Sequence, residues 1–231
     1  YGYLEGNEVW VGAWTGWMPT GNLVIPDTVE DDGKKYVVTQ VGHSADGSSS
    51  GFGMLEGLVS VTMPNTIRRL DNYCFVRCPN LTEVCLSDSI ESIGWGAFSG
   101  CSRLNAVQLG PVLEVIENEA FYNCTNFDSL YLPEKVREIG DQAFELCNLW
   151  HIDVAEDNAY FMSEEGILYN KNRDIIWLYP PMKPGSSFVI PSTVTYVKNQ
   201  CFADAGNLKQ VTIPVSVKKL GFSSFNKAGL T

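Results

Sequence analysis

The chain has few of the groups on which most catalytic and metal-binding sites depend. It contains two histidines, His43 and His151, and no C-x-x-C pair, so no ligand set has the spacing of a zinc site. No apolar run approaches the ~20 residues that span a bilayer, and no window is long enough for an ordinary helix. We therefore expect no metal, no cofactor and no membrane insertion in this chain.

Positive charge is also scarce. The sequence holds 16 Lys and Arg against 27 Asp and Glu, which gives a formal net charge of −11. Nucleic acids and anionic membrane surfaces bind cationic proteins, so this balance argues against both as partners. The apolar fraction of 45% is nevertheless large enough to supply a continuous core.

The most regular feature of the sequence is a period of 23 residues. It is marked by four cysteines, each preceded at three residues by a phenylalanine: Cys78, Cys101, Cys124 and Cys147. A period of roughly 20–29 residues is typical of a leucine-rich-repeat solenoid, in which each repeat forms one rung of a stack. Solenoids of this kind bind partners more often than they catalyse reactions.

The order of apolar residues within a repeat predicts its local structure. Val84 and Leu86 lie two apart, so both point to one face of a short strand. Ile90 and Ile93 follow in a second short segment, which leads through Phe98 into a single helical turn. One repeat cannot bury its own apolar face, whereas stacked repeats share a continuous core. The predicted fold is a β-rich, α/β-type solenoid with one short parallel strand in each repeat.

The whole chain is expected to form one domain with an irregular start and one insertion. A hairpin about Gly6-Asn7 indicates an N-terminal cap, and two β-rich runs that flank residues 170–174 indicate a hairpin inserted into a repeat. The boundaries are predicted as follows: a cap over about 1–45, regular repeats over 46–148, the repeat with the insertion over 149–187, and further repeats over 188–231. The last repeat has no polar cap, and we expect it to be incomplete.

The cysteines are expected to be buried thiols. Ala205 and Ala228 take the place of the repeated cysteine in later repeats, so that position requires a small apolar residue and not a bond. Neighbouring rungs stack about 4.8 Å apart, which leaves a disulfide geometrically open as the alternative. Cys85 lies between two inward residues, so it should face outward and be accessible.

Two patterns resemble reactive sites but have simpler explanations. Residues 47–51 match the G-x-S-x-G pattern of a nucleophile elbow, which requires a buried strand before it and a helix after it. Here the pattern lies in a Ser/Gly-rich loop. Asp153, Glu156 and Asp157 cluster near one strand end and could hold Ca²⁺, although a solvated acidic turn is the favoured interpretation. We assign no catalytic residue and no metal ligand.

The outward-facing strand residues are the better candidates for function. They form two columns, Ser60, Glu83, Ala106, Ser129, His151 and Gln210 in one, and Thr62, Cys85, Gln108, Tyr131, Asp153 and Thr212 in the other. Such columns form the concave face that solenoids use for binding, and aromatic residues with polar neighbours are typical binding anchors. The candidate binding residues are Gln108, Tyr131, Trp150, His151 and Asp153. The alternative is an ordinary mixed solvent face.

The repeat also resembles a known family. Residues 132–147, Leu-Pro-Glu-Lys-Val-Arg-Glu-Ile-Gly-Asp-Gln-Ala-Phe-Glu-Leu-Cys, follow the signature of BspA-like bacterial leucine-rich-repeat proteins. The sequence departs from that signature at Glu117, where glycine is usual, and at Ala205 and Ala228. The resemblance implies a secreted or cell-surface protein whose signal peptide has been removed, and it implies a role in adhesion to host proteins or to other bacteria.

These observations favour a non-enzymatic, extracellular binding or adhesion module. Its partner would be a host or bacterial surface protein or a glycan, recognised through the solenoid surface. A structural spacer segment of a larger cell-surface protein is the alternative, and a hydrolase is a more remote one. The uncapped C-terminal rung also predicts possible end-to-end self-association.

Overall fold

A computed structural model describes residues 1–13, 18–43 and 51–231. Most of the G-x-S-x-G pattern therefore lies outside the described residues. The described strands, numbered in chain order, are β1 (Gly2–Tyr3), β2 (Glu8–Val11), β3 (Gly21–Val24), β4 (Thr28–Asp31), β5 (Lys34–Val41), β6 (Leu58–Thr62), β7 (Arg69–Leu70), β8 (Glu83–Cys85), β9 (Ser92–Ile93), β10 (Val115–Ile116), β11 (Ser129–Leu132), β12 (Glu138–Ile139), β13 (His151–Val154), β14 (Phe161–Glu164), β15 (Ile167–Asn170), β16 (Ile175–Leu178), β17 (Ser187–Val189), β18 (Tyr196–Val197), β19 (Gln210–Thr212) and β20 (Lys219–Leu220).

The strands stack into a solenoid with three sides. The first side carries the strand predicted in each repeat and consists of three parallel groups, β3-β6-β8, β11-β13 and β17-β19. The second side carries mostly two-residue strands, which pair in parallel from the longer β5 through β7, β9 and β10 to β12, and again from the four-residue β16 through β18 to β20. In the regular repeats, pairing joins residues 23 apart, as between Ser60 and Glu83, so one sequence period forms one rung. The predicted solenoid is confirmed.

The third side of each rung is a loop, and here the expected helical turn is wrong. No helix is assigned in any of the three described ranges. Glu119 and Asn123 both have left-handed backbone angles, with φ of 55° and 58°, and the same pair recurs four residues apart in other rungs. A right-handed helix cannot continue through such residues. The loop instead forms a series of turns, and its amides bond to the next rung.

A stack of aromatic rings fills the core behind the third side. Phe75, Phe98, Phe121 and Phe144 follow each other with ring centroids 5.3 to 5.4 Å apart, and all four are buried. Offset stacking at this distance adds to the apolar burial that holds rungs together. Each 23-residue period of the sequence therefore adds one ring to a continuous core.

The repeated cysteines lie beside this stack as free, buried thiols. Each donates its S–H to the backbone carbonyl of the phenylalanine 26 residues earlier, with Cys147 Sγ 3.1 Å from the Phe121 oxygen. Burial raises the pKa of the Cys124 and Cys147 thiols, because a thiolate would lose its hydration there. Cys85 is the exposed cysteine, as predicted.

Two hairpins begin the solenoid. β1 and β2 pair antiparallel through a turn at Gly6, and β4 and β5 pair through Asp32-Gly33, where both residues have positive φ. Such a two-residue turn matches the twist of the strands it joins. β2 also pairs in parallel with β5, and β5 continues into β7. The N-terminal hairpins therefore form the beginning of the second side, and β3 forms the beginning of the first side.

The insertion is a three-stranded antiparallel unit rather than a single hairpin. β15 and β16 flank the turn at residues 170–174, as predicted, and β14 adds a third strand. Asn158, which is fully buried, anchors the unit to the preceding rung. Its amide nitrogen donates to the Pro133 and Val136 carbonyls at 2.8 and 2.9 Å, and its side-chain oxygen accepts from the Tyr160 and Phe161 amides.

The expected strand at residues 106–109 is absent. Val107 and Leu109 are buried and Gln108 is exposed, so the side chains alternate as predicted. In the described structure no backbone hydrogen bond joins residues 106–109 to the preceding rung, and the nearest one runs from the Asn105 amide to the Thr82 carbonyl at 3.2 Å. Burial of alternate residues fixes which way the side chains point, but it does not require the ladder of hydrogen bonds.

Candidate binding face

A shallow, open depression lies on the first side of the solenoid, where the sheet is interrupted at residues 106–109. Its walls combine both outward columns over three rungs, and its lining residues are Ala106, Val107, Gln108, Ser129, Leu130, Tyr131, His151 and Asp153. In the register of β11 and β13, Ser129 lies beside His151 and Tyr131 beside Asp153. Four of the five candidate residues therefore lie together.

The polar and aromatic groups of this face are accessible. Tyr131 is 58% exposed, and Trp150, which precedes β13, is 49% exposed. The Trp150 ring contacts the His151 ring with centroids 5.1 Å apart. Trp150 does not line the depression itself but extends the aromatic surface at its edge. Large aromatic groups with free edges give much contact area for little loss of side-chain entropy.

The two columns of outward-facing strand residues do not continue along the whole solenoid as the sequence predicted. Gln210 pairs with Ser187 of β17 and not with a residue of β13. Beyond β13 lies the inserted unit, whose Gly166 carbonyl accepts a hydrogen bond from the Ile152 amide at 3.0 Å. The insertion thus ends the outward face of this strand group at His151 and Asp153.

The turn between β14 and β15 positions His151, and the sequence interpretation did not include it. Gly166 has φ of 76°, and a Cβ atom there would lie 2.4 Å from His151 Nδ1. The glycine therefore allows the turn backbone to pass directly against the imidazole. A glycine followed by β-branched and aromatic residues was the available signal, but only the fold shows which side chain the turn meets.

His151 and Asp153 form a pair, with His151 Nε2 3.0 Å from Asp153 Oδ1. Ser129 lies on the neighbouring strand, so the three residue types of a nucleophilic triad are close. Their geometry does not match one. In a triad, one ring nitrogen faces the carboxylate and the other faces the hydroxyl. Here Nδ1 faces the Gly166 turn, and the Ser129 hydroxyl donates to Asp128 at 3.0 Å.

The acidic residues near β13 do not assemble into a cation site. Within residues 1–13, 18–43 and 51–231, no three Asp, Glu, His or Cys side chains are placed to hold a metal ion. The same part of the chain contains no helix with the length and apolar character needed to cross a membrane. The arrangement offers hydrogen-bond donors and acceptors beside aromatic rings, which suits recognition of a ligand surface.

Known proteins of the same fold were found by comparison. A family model described as the BspA type leucine rich repeat region matches residues 48–170 and 183–231 in six copies, which is well over half of the chain. No curated protein matches the chain.

Three solved structures show the same fold at low sequence identity. The pneumococcal vaccine antigen PcpA aligns with a TM-score of 0.76 and 23% identity over 98% of this chain and 65% of that one. A leucine-rich repeat protein from Eubacterium ventriosum gives 0.66 and 24% over 83% and 57%. A leucine-rich cell surface protein from Faecalibacterium prausnitzii gives 0.60 and 22% over 91% and 68%. The chain thus spans less than two thirds of the first two proteins.

Proposed function

Because the chain belongs to the BspA-type leucine-rich-repeat family, we propose that it is a non-enzymatic binding module, secreted or displayed at the cell surface. Its partner is a protein or a glycan, recognised at the depression on the first side of the solenoid. The observation that carries this proposal is the exposed pair Tyr131 and Trp150 beside the His151–Asp153 hydrogen bond. Aromatic groups flanked by polar ones are the usual anchors of protein interfaces and ligand sites.

The scaffold supports this role because it holds the side chains in place before a partner binds. Tyr131 and Asp153 lie on paired strands, and the Gly166 turn packs against His151. Little ordering entropy remains to be lost on binding, which favours affinity. The negative net charge of the chain favours partners that are neutral or basic.

An array of matrix proteins and glycans tests the proposal. Wild type should bind a subset of spots that the double variant Tyr131→Ala/Asp153→Ala does not bind, because both groups lie in the depression. The matched control is Thr62→Ala/Thr212→Ala, two exposed residues of the same column on distant rungs, and it should bind as wild type does. Equal binding by wild type and the first variant would remove the depression as the site.

A second candidate, a spacer that stacks end to end, is favoured by the last rung. Ile213 and Leu220 are 45% and 48% exposed there, whereas their counterparts one rung earlier, Ile190 and Val197, are buried, and Phe222 is 81% exposed; an exposed apolar surface of this kind marks an interaction site. The occupant would be a second copy of the chain or a further rung of a larger surface protein. Light scattering should detect concentration-dependent dimers that Phe222→Asp abolishes. A monomer at every concentration would contradict self-association.

A further inference from the structure

A second site lies on the third side of the solenoid, away from the depression. In regular rungs the third sides are joined by three backbone hydrogen bonds. The amides of Gly96, Phe98 and Gly100 donate to carbonyls of the next rung at 3.0, 2.8 and 2.8 Å. Each third side thus offers amides to the rung that follows it and carbonyls to the rung that precedes it. The series is a ladder of the kind that joins parallel strands.

The rung that carries the insertion is too short to continue this ladder. Ile176 pairs with Val197, so the two residues occupy equal places on the second side. From Val197 the chain takes five residues to reach its aromatic core residue, Phe202, but from Ile176 it takes three to reach Tyr179. Two prolines, which lack amide hydrogens, follow directly at residues 180–181. The third side of this rung is therefore drawn inward.

The neighbouring rungs consequently face each other with unused backbone groups. The amides of Gln142, Phe144 and Leu146 occupy the donor positions of the ladder, and no described residue accepts a hydrogen bond from any of them. On the opposite wall, the Tyr179 amide donates to the middle acceptor, the Cys201 carbonyl, at 2.9 Å, whereas the Asn199 and Ala203 carbonyls on either side receive no hydrogen bond from the described chain. Folded proteins pair such backbone groups with the chain itself, with water or with a bound molecule.

Between these walls is a cleft with an apolar floor. Trp177, Leu178 and Pro181 of the shortened rung form the floor together with Phe144. The cavity of about 50 Å³ is room for a few water molecules. Its walls belong to rungs about two spacings, ~9.6 Å, apart, so an extended chain fits at the mouth, where the shortened rung is drawn inward, once the side chains that bridge the mouth have moved.

Side chains bridge the cleft at its mouth. Gln200 Nε2 donates to Glu145 Oε2 at 2.7 Å, and Lys198 Nζ lies 3.5 Å from Asp141 Oδ1. Both contacts join rungs that are not sequential neighbours. The groups are partly exposed, and interactions of that kind contribute little to stability. The bridges can therefore rotate aside at low cost.

We propose that this cleft binds a short extended segment of a partner polypeptide, which completes the ladder. Its carbonyls accept from the Phe144 and Leu146 amides, and one of its amides donates to the Ala203 carbonyl, beyond the position that the Tyr179 amide already takes at Cys201. The narrow apolar floor selects a small apolar side chain at the inward position. Asp141 and Glu145 outnumber the one cation, Lys198, so the segment is neutral or basic. This is strand addition at an open edge, and it is independent of the function proposed for the depression.

The test is a titration of the ¹⁵N-labelled chain followed by nuclear magnetic resonance. The probe is the capped peptide acetyl-Lys-Val-Ala-Val-Lys-amide, in which β-branched residues favour the extended form. The Phe144 and Leu146 amide protons should shift downfield and saturate with a Kd of about 1 mM or below. The same peptide with N-methyl groups on alternate amides should bind at least about tenfold more weakly, because it cannot donate to the Ala203 carbonyl.

A pair of variants places the probe in the cleft. Ala203→Trp fills the mouth and should weaken binding at least about tenfold, whereas Ser99→Trp, at the same place in a regular rung, should not. If Ala203→Trp fails to fold, the methylated peptide still decides the matter. The proposal is overturned if the two amides do not shift at ~5 mM peptide, if both peptides shift them equally, or if maltohexaose shifts them and the peptide does not.

Discussion

Replacing Asn158 by alanine should separate the inserted unit from the rung before it. The side chain makes four hydrogen bonds in a site from which water is excluded. Each such bond contributes about 1 kcal/mol net, and a buried partner left unpaired costs about 1–3 kcal/mol. Two of the four partners can recover. The Pro133 carbonyl also accepts from the Val136 amide at 3.3 Å, and Tyr160 is exposed enough to reach water.

The remaining two partners, the Val136 carbonyl and the Phe161 amide, set the magnitude. We expect Asn158→Ala to lower the free energy of unfolding by about 3–5 kcal/mol, from the lost bonds and the two unpaired groups. Asn158→Asp should be comparably destabilising at neutral pH, because it replaces the donor that serves two carbonyls with a negative charge. Its deficit should shrink at low pH, where a protonated carboxyl can again donate one bond.

Urea unfolding followed by circular dichroism measures these differences. Asn172→Ala is the matched control, since Asn172 is exposed in the neighbouring turn, and it should lie within about 0.5 kcal/mol of wild type. Because a solenoid can unfold rung by rung, a variant that keeps Trp177 as its single tryptophan should report the loss by fluorescence before circular dichroism does. A deficit below about 1 kcal/mol for Asn158→Ala would refute the anchoring role.

Three further predictions concern the buried thiols and the turn beside the depression. Burial raises the pKa of Cys147 from 9.0 to about 12, so the stability that its neutral thiol contributes is complete below pH 9 and is lost as the pH rises toward 12. In guanidinium titrations, the free energy of unfolding of wild type should therefore fall more steeply over this pH range than that of Cys147→Ala, by about 1.4 kcal/mol per pH unit. Equal slopes would contradict this. Ellman's reagent should label Cys85 at once and the other six cysteines only after unfolding; a second fast thiol would show that the core is open. Gly166→Ala places a Cβ against His151 at a positive φ, whereas Gly185→Ala places one in open space at a positive φ. The first variant should therefore lower the free energy of unfolding by at least about 1 kcal/mol more than the second. Equal effects would show that the turn does not pack against the imidazole.

The period and the alternation of apolar residues were sufficient to predict the solenoid. Val84 and Cys85 show why: inward and outward sides follow from burial alone, and the structure buries the first and exposes the second. Because Ala205 stands at the position of the repeated cysteine, we predicted that the cysteine fills space there and forms no bond, and the thiols are indeed free. Their hydrogen bonds to phenylalanine carbonyls could not be predicted, because they join residues 26 apart whose approach depends on the stacking.

The parts that could not be predicted depend on contacts between rungs. The helical turn expected near Phe98 is replaced by turns with left-handed residues, because non-glycine residues such as Glu119 adopt positive φ when the next rung supplies their hydrogen bonds. The adjacent positions of Tyr131 and Asp153 did follow from the repeated apolar pattern, although the two residues are 22 and not 23 apart. The Gly166 turn against His151 did not, because the insertion has no repeat from which its position could be inferred.

Hydroxyl-radical footprinting of the chain with a partner identified on the array tests the central claim most directly. Tyr131 and Trp150 are exposed and readily oxidised, and Trp95, which is 42% exposed on the third side, serves as an internal control. If the depression on the first side is the binding face, the partner should protect Tyr131 and Trp150 and leave oxidation of Trp95 unchanged. Protection of Trp95 with unchanged oxidation of Tyr131 and Trp150 would contradict the account.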